Sequence, residues 1–313
     1  MKLALDANRM VYDPVRALLY ASVRHGAPAS ADTVAVIDPV AMSVVTTLPV
    51  GNDPGPLALS DDASTLWVGL TGDGTFRSIT LTTKPATVNP THPLPTDQYI
   101  YTMVVLPGTT TSVVASVGDG SNSIVHVFDD GVSRATTATV NWARRLCLGP
   151  SGYVFGYDGY SSGDLFTSFA VSGTGVTVVK SIAGLVDTIQ NDIIWVPPRV
   201  YAYFGEVVDV SSPANPVRAG KFNFVGAIGV RDSGHLLMMS PGIYNSTLNP
   251  TLRMLDTTTF TQTASVTVPW DIDDESTSFL DLAYLGGNRL AVVGDDGAAW
   301  AIYFLQSSVI GPP

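Results

Sequence analysis

Cysteine is almost absent from this chain of 313 residues: Cys147 stands alone. No disulfide can form within the chain, and its redox compartment is not written in it. The setting of Cys147, Arg145-Leu146-Cys147-Leu148, is strand-like. A buried thiol acting as a small hydrophobe fits it better than a nucleophile, which needs an activating base and exposure. Basic charge is scarce too, with 16 Lys and Arg against 27 Asp and Glu and a formal net charge of -11. That balance excludes nucleic acid and anionic membrane as expected partners, because phosphate binding needs clustered Lys and Arg. Cationic ligands and divalent metals are the natural partners of such a chain.

Amphipathic helices are missing, since no window of three turns keeps apolar residues at helical spacing without Gly, Pro or a Thr/Val run intruding. There is no apolar run of about 18 residues that could cross a membrane as a helix. The start, Met1-Lys2-Leu3-Ala4-Leu5-Asp6, lacks the apolar stretch of a signal peptide, so the expectation is a soluble chain. Also lacking are a Gly-x-Ser-x-Gly elbow, a phosphate-binding Gly-rich loop ahead of a helix and a dinucleotide fingerprint. The four histidines, His25, His92, His126 and His235, show no His-x-x-x-His spacing, which argues against a zinc site.

What is present is β-sheet composition: 45% hydrophobic residues, only 14% charged, 29 Gly and 21 Pro, with abundant Val and Thr. Seven apolar strands follow tight turns: Leu18 to Val23, Leu66 to Leu70, Ser112 to Val117, Tyr153 to Tyr157, Val200 to Phe204, Leu236 to Ser240 and Leu290 to Gly294. Their mean separation is about 45 residues, the period of a four-stranded propeller blade. Each has an apolar segment before it and an alternating strand after it, and most units end in an exposed Thr-rich strand. The last unit lacks this fourth strand, whereas Lys2 to Asp6 is spare at the N-terminus and can pair onto it to close the ring. The reading is one all-β domain over residues 1–313, a seven-bladed β-propeller of four-stranded antiparallel blades. Six blades are the alternative, should the short unit from Val200 to Asn223 be irregular.

The segments Val36-Ile37-Asp38-Pro39, Val44-Val45-Thr46-Thr47-Leu48-Pro49-Val50-Gly51 and Leu57-Ala58-Leu59-Ser60-Asp61-Asp62, followed by Leu66-Trp67-Val68, resemble the YVTN-type repeat of bacterial and archaeal surface-layer propellers. Val11-Tyr12-Asp13-Pro14 fits as well. The likeness covers roughly the first third of the chain. It implies a bacterial, exported (periplasmic or extracellular) natural form and a non-catalytic propeller that binds a ligand, a protein or a glycan.

The residue ahead of each inner strand is an Asn or Asp in all seven units: Asn8, Asp53, Asp97, Asn141, Asp187, Asn223 and Asp273. Oxygens converging on an axis suit a divalent cation such as calcium, with zinc or manganese as alternatives. The competing reading is turn chemistry, since Asn and Asp tolerate left-handed backbone and bond to nearby amides. Asp73, Asp119, Asp158, Asp164, Glu206, Asp295 and Asp296 fall on the same rim, while Arg16, Lys84, Arg199, Arg231 and Arg289 fall on the opposite one. An acidic funnel at one mouth is therefore expected. Trp142 and Trp270, with His25 in the long loop from Arg24 to Asp32, would wall a substrate. This channel is similar in architecture to that of the calcium-dependent propeller hydrolases of the phosphotriesterase, paraoxonase and lactonase group. The similarity implies a metal-dependent hydrolase acting on a small phosphotriester, ester or lactone, with Asp53, Asp187 or Asp273 as nucleophile or general base.

Overall fold

In the computed structural model, seven four-stranded antiparallel sheets stand around a common axis as the blades of a β-propeller, and the described residues contain no helix. Those residues are 1–95, 98–120, 122–141, 143–158, 165–186, 192–241, 249–268, 278–295 and 299–311. The inner strands are Ala7–Asp13, Pro54–Leu59, Tyr99–Val105, Arg145–Leu148, Ile193–Val196, Ala227–Asp232 and Ser278–Tyr284, and they number blades 1 to 7. Each inner strand touches the next, and that of blade 7 touches that of blade 1, so the ring is closed. Blade 5, the short unit, is complete: Ile193–Val196, Arg199–Ala202, Glu206–Asp209 and Val217–Lys221. Six blades are thereby ruled out. In blade 3 the outer edge is split into Val132–Ser133 and Ala138–Val140, both paired with Ser123–Asp129.

Burial explains the sequence pattern. A blade is covered on both faces by its neighbours, so its second strand reads as a continuous apolar run: Leu18–Val23, Thr65–Leu70, His235–Ser240 and Arg289–Asp295 are buried over nearly their whole length. Outer strands such as Gln262–Thr267 alternate exposed and half-buried residues, and there β-branched Thr and Val are favoured. The hydrophobic residues fall into seven clusters, one between each pair of adjacent blades. Close approach has its own residue: a Cβ on Gly69 would lie 2.2 Å from Cγ2 of Ile100, so only glycine lets blade 2 meet blade 3 there.

The N-terminal segment Lys2–Leu3 is the fourth strand of blade 7, pairing with Tyr303 and Ile302. The terminal ammonium of Met1 donates to the Phe304 carbonyl at 2.8 Å, and the Phe304 amide donates to the Met1 carbonyl at 2.8 Å. A chain lacking residues 1–3 loses these few bonds and an edge strand. We expect it to be less stable by about 1–2 kcal/mol, at about 1 kcal/mol or less for each exposed bond. Denaturant unfolding of the two chains measures this, and equal midpoints would show that the closure carries no energy.

Candidate channel site

Four charged side chains stand where an all-apolar inner wall would be expected. Arg9, Arg145 and Asp281 lie on the inner strands of blades 1, 4 and 7, and Asp192 precedes that of blade 5. They line a chamber of about 190 Å³ within the channel, together with Tyr101 and Thr102. Two of them, Arg9 and Asp281, follow a bulge in their inner strands. The inner strands of blades 1, 2, 3 and 7 each carry a register shift against their second strand, between Ala7 and Arg9, Pro54 and Leu57, Ile100 and Thr102, and Phe279 and Asp281. The inner strand of blade 6 carries one too, between Val230 and Asp232, away from this chamber. A bulge re-aims the side chain beside it, and the residues that follow the other four shifts, Arg9, Leu57, Thr102 and Asp281, belong to the chamber wall.

Two of the charges neutralise each other. Arg9 Nη1 donates to Asp192 Oδ2 at 3.3 Å and to the Leu280 carbonyl at 3.0 Å. Asp281 Oδ2 accepts the Met10 N–H at 2.9 Å. Burial pushes the Asp281 carboxyl up to about 6; the Arg9 charge opposes the rise and the Asp192 charge adds to it. Arg145 differs from the rest. Its Nη1 donates to the Arg144 carbonyl at 3.1 Å, while its Nε is buried with no acceptor. Burial, then the neighbouring Arg9 charge, lowers this guanidinium to about 10, so it remains a cation at neutral pH. The Arg144 guanidinium beside it lies over the Tyr101 ring at 4.7 Å.

A second chamber of about 540 Å³ opens toward the other end of the channel. It shares Met10 and Val11 with the first and is otherwise walled by apolar groups such as Ile194, Val230, Leu282 and Ala283, with Tyr12 and Tyr284. The channel is thus charged in one half and apolar in the other.

The residues singled out in the sequence are placed differently. Asp53 and His25 come together at the rim between blades 1 and 2. Asp53 has φ of 50°, and its carboxylate accepts the His25 N–H at 3.2 Å and the Thr71 hydroxyl at 2.7 Å. Its own N–H donates to Asp32 Oδ1 at 2.9 Å, a bond that holds the Asp32 carboxyl below its ordinary value; His25 Nδ1 stands 3.0 Å from Asp32 Oδ2. Asn8 lies within blade 1's inner strand, near Gly55, while Asn141 and Asn223 are exposed on the rim. Asp97, Asp187, Asp273, Trp142 and Trp270, like Asp164 and Asp296, lie outside the described residues. Among the described residues no three His, Cys, Asp or Glu side chains are grouped so as to hold a metal ion. Cys147 is buried and its thiol is pushed well up by burial, the behaviour of a packed hydrophobe.

One expectation requires correction: acid is not confined to one rim. The opposite rim carries Asp38, Asp62, Asp209 and Asp256, each accepting turn amides, as Asp38 does from Val40 at 2.7 Å and Asp256 from Thr259 at 2.7 Å. The amides hold the Asp38 and Asp256 carboxyls below the usual range, while for Asp62 and Asp209 the hydroxyls of Ser60 and Ser211 come first and the amides add to them. Meanwhile the rim expected to be acidic carries Arg24, stacked 4.4 Å over Trp300, with Asp6, Asp53 and Asp295 around it. The turn preference of Asp at both ends of the strands, not a funnel, accounts for the distribution.

No protein-family model matches the chain, and no curated protein matches it in sequence. Solved structures match its fold. Hydrazine synthase of Kuenenia stuttgartiensis aligns over 99% of this chain and 98% of its own, with a TM-score of 0.71 and 11% identity. The β-propeller domain of Cps50 (Swd1) from Myceliophteria thermophila aligns over 98% of both chains, with a TM-score of 0.71 and 9% identity. Likeness at such identities extends to the fold alone.

Proposed function

We propose that this chain is a non-catalytic propeller that binds a small organic ligand in its central channel. The observation that supports the reading is the pair of adjacent chambers, about 190 and 540 Å³, which share Met10 and Val11 in their walls and are lined by inner strands. Concave sites with a few convergent polar groups on an otherwise apolar wall are the usual form of small-molecule pockets. Bulged but hydrogen-bonded strands hold these groups in place before any ligand arrives, which reduces the entropy lost on binding.

A second reading, a hydrolase acting on phosphotriester, ester or lactone substrates with a divalent metal such as calcium, keeps one supporting observation. Burial raises the Asp281 carboxyl to about 6 in the wall of the first chamber, the direction a general base needs. Thermal unfolding with a panel of organic acids, amines and sugars, run beside chromogenic ester, lactone and phosphotriester hydrolysis with and without EDTA, separates the two. We expect a subset of the panel to raise the midpoint and no turnover to appear. Thr102→Trp, which fills the charged chamber, should abolish those shifts; shifts that survive it would defeat the channel reading. Turnover that EDTA removes and calcium restores, and that Asp281→Asn or an Ala substitution at Asp53, Asp187 or Asp273 abolishes, would install the hydrolase in its place.

A further inference from the structure

We infer that the ligand of the channel is an amphiphilic organic monoanion whose carboxylate pairs with Arg145 and whose hydrocarbon part lies in the apolar chamber. This rests on the channel being a binding site, and it adds the chemistry of what is bound.

The direct partners of each charged group in the first chamber single out Arg145 as the place for an anion, although the Asp192 and Asp281 charges are near enough to act on it. Of its two carboxylates, Asp192 is engaged by Arg9 at 3.3 Å, and Asp281 accepts the Met10 amide at 2.9 Å. Arg145 has no carboxylate within ion-pair distance among the described residues, and its buried Nε donor has no acceptor. The guanidinium is half-buried in the chamber wall with one carbonyl partner, and an anion in the chamber would complete it. Its planar fork of donors matches a carboxylate through two parallel bonds, which an alcohol or an amine cannot accept in the same way. Tyr101 and Thr102 also line this chamber, the Tyr101 hydroxyl accepting the Gly120 N–H at 3.1 Å.

The tail follows from the wall on the other side of Met10 and Val11. Ile194, Val230, Leu282 and Ala283 give that chamber an apolar lining, without a charged residue to satisfy a second polar end. A ligand charged at both ends would leave one charge desolvated and unpaired, and a purely polar one would leave the apolar wall wet. A single headgroup with a hydrocarbon tail satisfies both halves at once. Hydrophobic burial then predicts that each added methylene tightens binding by about threefold to fourfold until the chamber is full.

Calorimetric titration of the intact chain with butanoate, hexanoate and octanoate at neutral pH, beside 1-octanol and octylammonium, tests this. Affinity is expected to rise along the carboxylate series, with octanoate at least tenfold tighter than either of the other eight-carbon probes. Arg145→Met should lower octanoate affinity at least tenfold, leave 1-octanol unchanged and keep a cooperative melt; Arg145→Lys should fall between. Octylammonium or 1-octanol binding as tightly as octanoate, or an Arg145→Met chain that retains octanoate, would overturn the inference while leaving a channel-binding propeller intact. If Arg145→Met does not fold, Ala283→Phe decides: it obstructs the tail chamber, so octanoate must weaken at least tenfold while butanoate changes little, and unchanged octanoate refutes the assignment. Failure of every compound, these probes and the wider panel alike, to bind in a Thr102→Trp-sensitive manner would instead remove the binding function itself.

Discussion

Replacing Trp67 by alanine is expected to lower the unfolding free energy by about 3–5 kcal/mol, the cost of deleting a large buried aromatic. Trp67 is 2% exposed on the second strand of blade 2. Its ring lies 5.7 Å from Phe76 and 6.0 Å from His92, in the cluster that joins blades 2 and 3. Its Nε1 reaches across that interface to the Thr110 carbonyl at 2.9 Å. Phenylalanine at the same place retains most of the packing and forfeits that bond, so Trp67→Phe should cost about 1–2 kcal/mol. Guanidinium unfolding of the three chains, compared at equal m-values, gives the numbers. A loss below about 1 kcal/mol for the alanine variant would mean that blades 2 and 3 repack without it, which interiors at crystal-like density do not readily do.

Asp281 carries the second large effect, and it depends on pH. The folded state holds this carboxyl at about 6 against an ordinary 3.8. Between those values the folded chain binds the proton more than the unfolded chain does. The group's contribution to stability is therefore complete below pH 3.8 and is lost as pH rises through 6. A shift of this size corresponds to up to about 3 kcal/mol, and access of channel water to the carboxyl brings the expected value to about 1–3 kcal/mol. Asn keeps an oxygen for the Met10 amide and has no proton to exchange. The stability of Asp281→Asn relative to the natural chain should therefore be greater near pH 7.5 than near pH 4 by that amount. The comparison cancels the many carboxyls held low by turn amides, such as Asp38 and Asp256, whose contribution runs the opposite way at lower pH. A difference between the two chains that stays constant across this range would mean that Asp281 is fully solvated in the folded state.

The blades were legible because a propeller writes its architecture into local pattern. Doubly covered second strands such as Leu18–Val23 and Arg289–Asp295 are unbroken apolar runs, and each is followed by an alternating strand and a turn. The spare N-terminal strand was legible for the same reason, since blade 7 visibly lacked an outer partner. The channel was not. The Asn and Asp residues in the turns ahead of the inner strands draw the eye, yet Asp53, with its φ of 50° and its hydrogen bonds, serves the turn. The charges that reach the channel lie inside or beside strands, in Asn8-Arg9-Met10, Arg144-Arg145-Leu146, Asp192-Ile193-Ile194 and Leu280-Asp281-Leu282. Only Asp281, a charge between Leu280 and Leu282 on an inner strand, carried a signal of its own; Arg9 beside Asn8, Arg145 beside Arg144 and Asp192 ahead of its strand look like ordinary strand ends. What could not be read is the bulge beside Arg9 and Asp281, because a register shift follows from how two strands meet and leaves no fixed mark in the alternation of one.

The closing strand also shapes the route by which the chain reaches this fold. Among the described strands, the pairing of Lys2–Leu3 with Tyr303 and Ile302 is the one ladder that spans nearly the whole chain; every other joins segments within a single blade's stretch of sequence. Hairpins and single blades can form with little loop-closure entropy, whereas joining two segments so distant in sequence early would be opposed by the entropy of the entire intervening loop. Each blade that docks on its neighbour shortens the remaining search, so the ring is completed last, when its two ends are already held near each other. Until that moment the facing apolar surfaces of blades 1 and 7, Leu19 and Ile37 on one side and Ile302 and Phe304 on the other, stay open to water and to other chains. The vulnerable species on the folding route is thus an open arc of finished blades, whose two sticky ends invite intermolecular pairing at high concentration.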